Sequence, residues 1–231
     1  MITNNIIQRT LLIEFNGRTA SAFTIEKNDK QLLVTARHLF VADKTAEPFP
    51  KLIRSNDTIS IRIFHNNVWK ELSSTIHFHT NIDIDIAVFE LPIQLTPKHP
   101  LPLNSQGLII GQDTYFLRFP FQLKGESGKI NNSFPFPFVK KAVFSAIQKG
   151  SNNEFIYYFD GHNNPGFSGG PIVFKKEGSD ELQVCGVVRG YVPQKGTLDT
   201  PYGKASYTEN SGIIVSYNVK HLKEIVDNII L

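Results

Sequence analysis

Only one cysteine, Cys185, occurs in 231 residues, so no internal disulfide can form and the fold must rest on packing. A lone thiol, placed inside an apolar run where it reads as buried and unreactive, suits a reducing compartment, and the chain is expected to be cytoplasmic. Met1 to Leu12 lacks the basic start, long apolar run and small-residue cleavage site of a secretory leader. No stretch reaches the ~18 uninterrupted apolar residues of a membrane span, so no membrane partner is expected. Charge of one sign is also scarce. The 24 basic and 21 acidic residues leave a net +3, scattered without a cluster, which provides no electrostatic footprint for nucleic acid. Metal-ligand spacing is missing too: His77 and His79 share a strand face, but no third ligand accompanies them, and neither metal nor cofactor is expected.

What the chain does contain is a serine set among glycines, in Gly161-His162-Asn163-Asn164-Pro165-Gly166-Phe167-Ser168-Gly169-Gly170-Pro171. A hydroxyl is a weak nucleophile at neutral pH, so an imidazole must take its proton during attack and return it to the leaving group. His38, in Thr35-Ala36-Arg37-His38 at the end of an apolar run, is the candidate. The imidazole in turn needs a carboxylate to hold its other nitrogen, and Asp85, directly before Ile86-Ala87-Val88-Phe89, fits. Asp83 offers the same chemistry two residues earlier on the same strand face, but the apolar run follows Asp85 directly. The amides of Gly166 and Ser168 can converge on a developing oxyanion because Gly166 tolerates dihedrals that a side chain forbids.

In this order (His, Asp, Ser) the motifs resemble those of the trypsin-like serine peptidases, and the Asn-Pro-Gly-x-Ser-Gly-Gly-Pro form looks most like the bacterial high-temperature-requirement-like branch, here without a PDZ domain. Ala20 to Ile25 resembles the small-residue strand before the histidine, Tyr115 to Phe121 the strand opening a second barrel, and Gly186 to Gly190 the strand that pairs with substrate. The resemblance implies catalytic His38, Asp85 and Ser168, and an oxyanion hole from the amides of Gly166 and Ser168. It also implies that His162, six residues before the serine, lies at the base of the primary pocket, where an aspartate would select Lys or Arg. Val188, Arg189 and Gly190 bring the substrate strand to the pocket wall. Arg189 or His162 facing inward would pair an acidic residue before the scissile bond; Val188 facing inward would suit a medium apolar one. Two positions depart from the family pattern. Arg37 replaces a small residue, and Phe167 replaces the aspartate that captures a newly cleaved N-terminus in digestive members. Activation by propeptide cleavage is therefore not expected, which leaves ordering of the turn to packing, a loop movement or an activating protein partner.

Periodicity agrees with an all-β fold. Alternating or continuous apolar runs at Arg9–Phe15, Ser21–Glu26, Gln31–Thr35, Thr58–Phe64, Val68–Leu72, Thr75–His79 and Asp85–Leu91 predict a first barrel of about six strands. Pro92, Pro97, Pro100 and Pro102 then mark a connection that cannot donate regular ladder bonds. Thr114–Arg118, Lys141–Gln148, Phe155–Phe159, Pro171–Phe174, Leu182–Arg189 and Ile213–Tyr217 predict a second six-stranded barrel. Asn218 caps a helix with Leu222, Ile225, Val226 and Ile229 on one face. The expected architecture is two six-stranded antiparallel Greek-key barrels with a C-terminal α-helix. Residues 1–105 carry His38 and Asp85, and residues 106–231 carry Ser168. Asn132–Phe138 alternates proline with aromatics and reads as a loop whose rings fold back over the barrel or form an apolar lip. Tyr191–Ala205 reads as a long loop, a lid or an activation segment. The expected function is a serine endopeptidase acting on protein or peptide substrates. The alternatives are a catalytically silent trypsin-fold binding or regulatory module and a nonpeptidic esterase.

Overall fold

The computed structural model describes residues 2–41, 52–126, 128–162, 164 and 166–229. A short helix α1 (Asn4–Ile7) leads into β1 (Thr10–Phe15), β2 (Arg18–Lys27), β3 (Lys30–Thr35), β4 (Thr58–His65), β5 (Val68–Phe78) and β6 (Ala87–Glu90). Then follow β7 (Asp113–Arg118), β8 (Phe138–Lys149), β9 (Phe155–Asp160), β10 (Pro171–Lys175), β11 (Leu182–Thr200), β12 (Gly203–Asn218) and helix α2 (Val219–Asn228). The strands form two antiparallel barrels with one connectivity: β1-β2-β3-β6-β5-β4, closed by β1 on β4, and β7-β8-β9-β12-β11-β10, closed by β7 on β10.

Tight turns set the register of the first barrel. Asn16-Gly17, Asn28-Asp29 and Asn66-Asn67 all have positive φ at both positions, the backbone that matches the twist of two-residue hairpins. The continuous apolar runs have a different cause. In β3, Leu33 faces the interior of the first barrel while Leu32 and Val34 face a second core between the barrels. In β10, Ile172 and Phe174 fill the second barrel while Val173 joins that shared core. Strands at the junction bury both faces, so alternation disappears from their sequence. The shared core also receives Ile6 from α1 and Leu222, Ile225 and Val226 from α2, whose first turn is capped by Asn218 Oδ1 accepting from Lys220 N at 2.7 Å.

Three segments differ from their sequence reading. Val68–Leu72 and Thr75–Phe78 are parts of one strand, β5, which pairs with β4 from Val68 to Thr75 and with β6 from Thr75 to Phe78, leaving His79 just beyond its end. Tyr191–Ala205 is no loop: it belongs to the long ribbon of β11 and β12, which stay paired from Pro193↔Asn210 to Thr200↔Gly203. Its Gly, Pro and Thr content hid this, because Gly196 serves as a seat for the ring of the facing Tyr207 rather than as a break. In the Pro-aromatic stretch, Phe134 packs into the core of the first barrel, its ring 4.5 Å from that of His65, whereas Phe138 is exposed and begins β8.

Since Leu222 is fully buried in the shared core, Leu222→Ala should lower the unfolding free energy by about 2–5 kcal/mol. The exposed neighbour Lys223→Ala should shift it by less than about 0.5 kcal/mol. Urea denaturation of the two variants measures the contrast.

Candidate active site

β3 and β6 are antiparallel neighbours with Thr35 opposite Ala87. A residue three beyond Thr35 and one two before Ala87 therefore emerge side by side at one end of the barrel. These are His38, on the short 3-10 turn Arg37–Leu39, and Asp85. The carboxylate engages the histidine twice: Oδ1 accepts from the His38 backbone amide at 2.7 Å, and Oδ2 lies 2.6 Å from Nδ1. The side chain of Asp85 is only 12% exposed and that of His38 is 50% exposed, so the ring is oriented from a sheltered acceptor while its Nε2 edge remains available. Asp83 turns elsewhere. Its carboxylate accepts from Asn152 Nδ2 at 2.6 Å, and its carbonyl accepts from the Tyr217 hydroxyl.

Ser168 sits on the turn between β9 and β10. Its hydroxyl donates to the carbonyl of Arg189 at 3.0 Å rather than to His38. Gly166 has φ +91, and a Cβ there would lie 2.6 Å from the Phe119 carbonyl, so only glycine fits both the conformation and the space. Among the described residues the amides of Gly166 and Ser168 have no hydrogen-bond partner. Asn163 and Pro165 of the motif lie outside the described residues. Phe167 is 1% exposed and packs in the second-barrel core against Phe116. The guanidinium carbon of Arg118 lies 3.6 Å from the Phe167 ring centroid and 3.1 Å from that of Phe116. Burial pushes the Arg118 pKa well below the usual arginine range, and the π faces offset part of that desolvation.

The remaining sequence candidates are spread around this turn. His162 is exposed, and its carbonyl accepts from Lys140 Nζ at 2.8 Å. Val188 is fully buried in the second-barrel core, and its amide and carbonyl bond Gly170 and Gly169, so its side chain reaches no open pocket. Arg189 is exposed beside the Tyr217 ring, and Gly190 follows it along the cleft. That cleft has a volume of about 1020 Å³ and runs between the barrels, with His38 and Asp85 in its wall together with Phe40, Phe78, Val192 and Val215. Arg37 stacks on Phe78 at 4.7 Å; burial lowers its pKa, against the opposing charge of Asp85. Cys185 is buried, and desolvation drives its thiol pKa far up, which leaves no thiolate for chemistry.

Among the described residues one cluster has metal-ligand residue types: His79, His221 and Glu224. Its hydrogen bonds have the wrong polarity for a metal. His79 Nδ1 accepts from the Asn81 amide and His221 Nε2 accepts from the Phe155 amide, both at 2.9 Å. The remaining nitrogens therefore carry the protons and point at Glu224 Oε2, at 3.0 Å and 2.8 Å. A metal-bound imidazole instead donates from its outer nitrogen. The cluster is a clamp that ties the segment before Asp85 to α2. Neither Ser21, which bonds the serine turn from β2, nor this clamp carries a local sequence signal, because each depends on partners about 145 residues away.

The family model of the trypsin-like peptidase domain matches residues 20–179. A search of curated proteins finds no significant match. Among solved structures, the inactive form of the Rv3671c protease is similar with a TM-score of 0.58 and 14% identity, over 97% of this chain and 90% of that one. A serine-to-alanine mutant of Rv3671c from M. tuberculosis H37Rv, also in an inactive form, is similar with a TM-score of 0.56 and 14% identity, over 98% and 91% of the two chains. At that identity the likeness concerns the fold.

The clamp predicts acid sensitivity. Burial lowers the pKa of His221 from 6.5, outweighing the Glu224 bond and charge that raise it, with His79 and Lys220 lowering it further. For Glu224, burial raises the pKa, but bonds from His79 and His221 and the charges of His221 and Lys220 bring it below 4.5. A depressed folded pKa means that the unfolded chain binds protons first, so stability is complete above the unfolded value and declines as pH falls. Unfolding free energy should drop as pH falls below 6.5 and further below 4.5. His221→Gln should flatten the upper step in chemical denaturation series; an unchanged slope would assign that step elsewhere.

Proposed function

Because the chain belongs to the trypsin-like peptidase family, we propose that it is a serine endopeptidase in which Ser168 forms an acyl-enzyme, His38 is the general base and acid, and Asp85 orients His38. The observation that carries this reading is the double engagement of His38 by Asp85, at 2.7 and 2.6 Å. It fixes the ring tautomer so that Nδ1 holds a proton and Nε2 is free to accept one. Attack requires the Ser168 hydroxyl to rotate from the Arg189 carbonyl toward Nε2. An extended substrate pairing with the Arg189–Gly190 edge would bring a backbone N–H to that same carbonyl, displace the hydroxyl and turn it toward the base. Resting sites of this kind often tighten only when substrate is bound. The developing oxyanion would meet the amides of Gly166 and Ser168, and losing one such donor costs roughly 3–4 kcal/mol of transition-state stabilisation.

The substrate is a protein or peptide. A basic residue before the scissile bond is disfavoured, since no carboxylate stands at His162 and Lys140 brings positive charge near the turn, its Nζ bonded to the His162 carbonyl. The site of action is the cytoplasm, consistent with the lone buried Cys185, and the affinity is to the bacterial high-temperature-requirement-like branch. Phe167 orders the turn by packing against Phe116 and Arg118, so no ion pair with a freed N-terminus is needed. The N-terminal segment is used otherwise, with Ile6 in the shared core. One observation favours a second reading, a catalytically silent binding or regulatory module: the Ser168 hydroxyl is bonded to Arg189 instead of His38.

A fluorophosphonate probe separates the two readings. The wild type should label at Ser168 and hydrolyse a peptide library, while Ser168→Ala does neither and unfolds at an unchanged denaturant midpoint. Asp85→Asn should retain the fold and lose about 10⁴-fold in kcat through the wrong imidazole tautomer. A wild type that neither labels nor cleaves would favour the silent module. Deleting residues 1–8 should lower stability by removing Ile6 from the core; a gain of activity that needs the new charged N-terminus would overturn the packing account of Phe167.

A further inference from the structure

We propose that Ser21, on β2 of the first barrel, is a positioning residue for the oxyanion site of the second, an inference that rests on the peptidase reading above. Ser21 is fully buried. Its Oγ accepts from the Phe119 amide at 3.0 Å and donates to the Gly166 carbonyl at 3.0 Å. Its own amide donates to the Ser168 carbonyl at 3.2 Å, and its carbonyl accepts from Thr35 Oγ1 at 2.8 Å. One residue therefore holds the carbonyls of both Gly166 and Ser168, whose amides form the oxyanion site.

A hydroxyl suits this place because it accepts and donates at once. With Phe119 N–H directed at its lone pair, the single proton of Oγ goes to Gly166, so the relay has one direction. The pinned residue is also the one most prone to turn: Gly166, at φ +91, has no side chain to resist rotation of its peptides. The two bonds through its backbone, from Ser21 N to Ser168 O across the barrels and from Thr35 Oγ1 to Ser21 O within the first barrel, survive any side chain at position 21, and the first of them keeps the barrels in contact. The hydroxyl adds only the link from Phe119 to Gly166. Its loss takes this partner from a buried N–H and a part-buried C=O at the point where the oxyanion geometry is set.

The test compares Ser21→Ala and the near-isosteric but weakly hydrogen-bonding Ser21→Cys with the wild type. In Ser21→Ala, kcat on a peptide substrate should fall about 10- to 100-fold with KM within about two-fold, as expected for an interaction expressed in the transition state. Affinity for a peptidyl trifluoromethyl ketone, whose adduct oxygen occupies the oxyanion site, should fall in step with kcat, and Ser21→Cys should lie between. Amide hydrogen exchange at Gly169 and Gly170, whose amides are bonded to the Val188 and Phe167 carbonyls, should accelerate in both variants. A kcat and ketone affinity equal to wild type in folded Ser21→Ala would overturn the proposal; if that variant does not fold, wild-type values in Ser21→Cys do the same. A wild type without turnover overturns the peptidase reading instead. The exchange measurement then decides Ser21, with unchanged exchange at Gly169 and Gly170 counting against it.

Discussion

Gly169 lies against the backbone of Ser21 and Ala36 and the hydroxyl of Thr35, with no room for a Cβ, and its amide is tied to the Val188 carbonyl. This is where the strand that leads to His38 meets the turn that carries Ser168. A nucleophile and a base on different barrels cooperate only if the barrels approach to a fixed distance. A displacement of about 1 Å can cost two orders of magnitude in rate. The absence of side chains at Gly169 and Gly170 makes that approach sterically open, and the hydrogen bonds through Ser21 and Thr35 make it specific.

Behind the contact, the shared core supplies the cohesion. Val34, Val88, Leu117, Val173 and Val187 meet there from both barrels, and α2 seals it with Leu222 and Ile225. Cores pack at crystal-like density, so this cluster joins the two barrels through buried side chains from both. The segment before Asp85 is held separately. Asn81 reaches the Asn152 carbonyl, Asp83 bonds Asn152 and Tyr217, and His79 joins Glu224 and His221 on α2. The orientation of a first-barrel carboxylate thus depends on the second barrel and the final helix. That makes the helix part of the site's support, although none of its side chains touches His38.

The serine turn shows how one substitution reorganises a neighbourhood. With Phe167 in the barrel core, the position before Ser168 is neutral and apolar, and the nearby charges are cationic: Arg118 over the ring and Lys140 at 5.4 Å from its centroid. Burial, and then the charge of Arg118, lowers the Lys140 pKa. The turn is held by the aromatic packing of Phe167 and by the hydrogen bonds from Ser21.

Much of this was legible in the chain itself. Strand identities follow from local patterning, since apolar runs bounded by Asn-Gly, Asn-Asp and Asn-Asn turns leave little else for those segments to form. The residue types and order of His38, Asp85 and Ser168 are chemical requirements that a sequence displays directly. Composition misled where pairing acts across strands: the Gly196 and Tyr207 pairing turns an apparent loop into a ribbon, and the change of partner from β4 to β6 at Thr75 joins two apparent strands into one. The sequence by itself determined the all-β fold, the residue types of the candidate site, His38, Asp85 and Ser168, and the glycines that permit close approach. Tertiary structure decided which of Asp83 and Asp85 faces the histidine, that Val188 is core while Arg189 borders the cleft, and that Ser21, Arg118 and the His79–Glu224–His221 clamp support the site. These depend on distance and direction between residues far apart in the chain, which exist only once both barrels have closed.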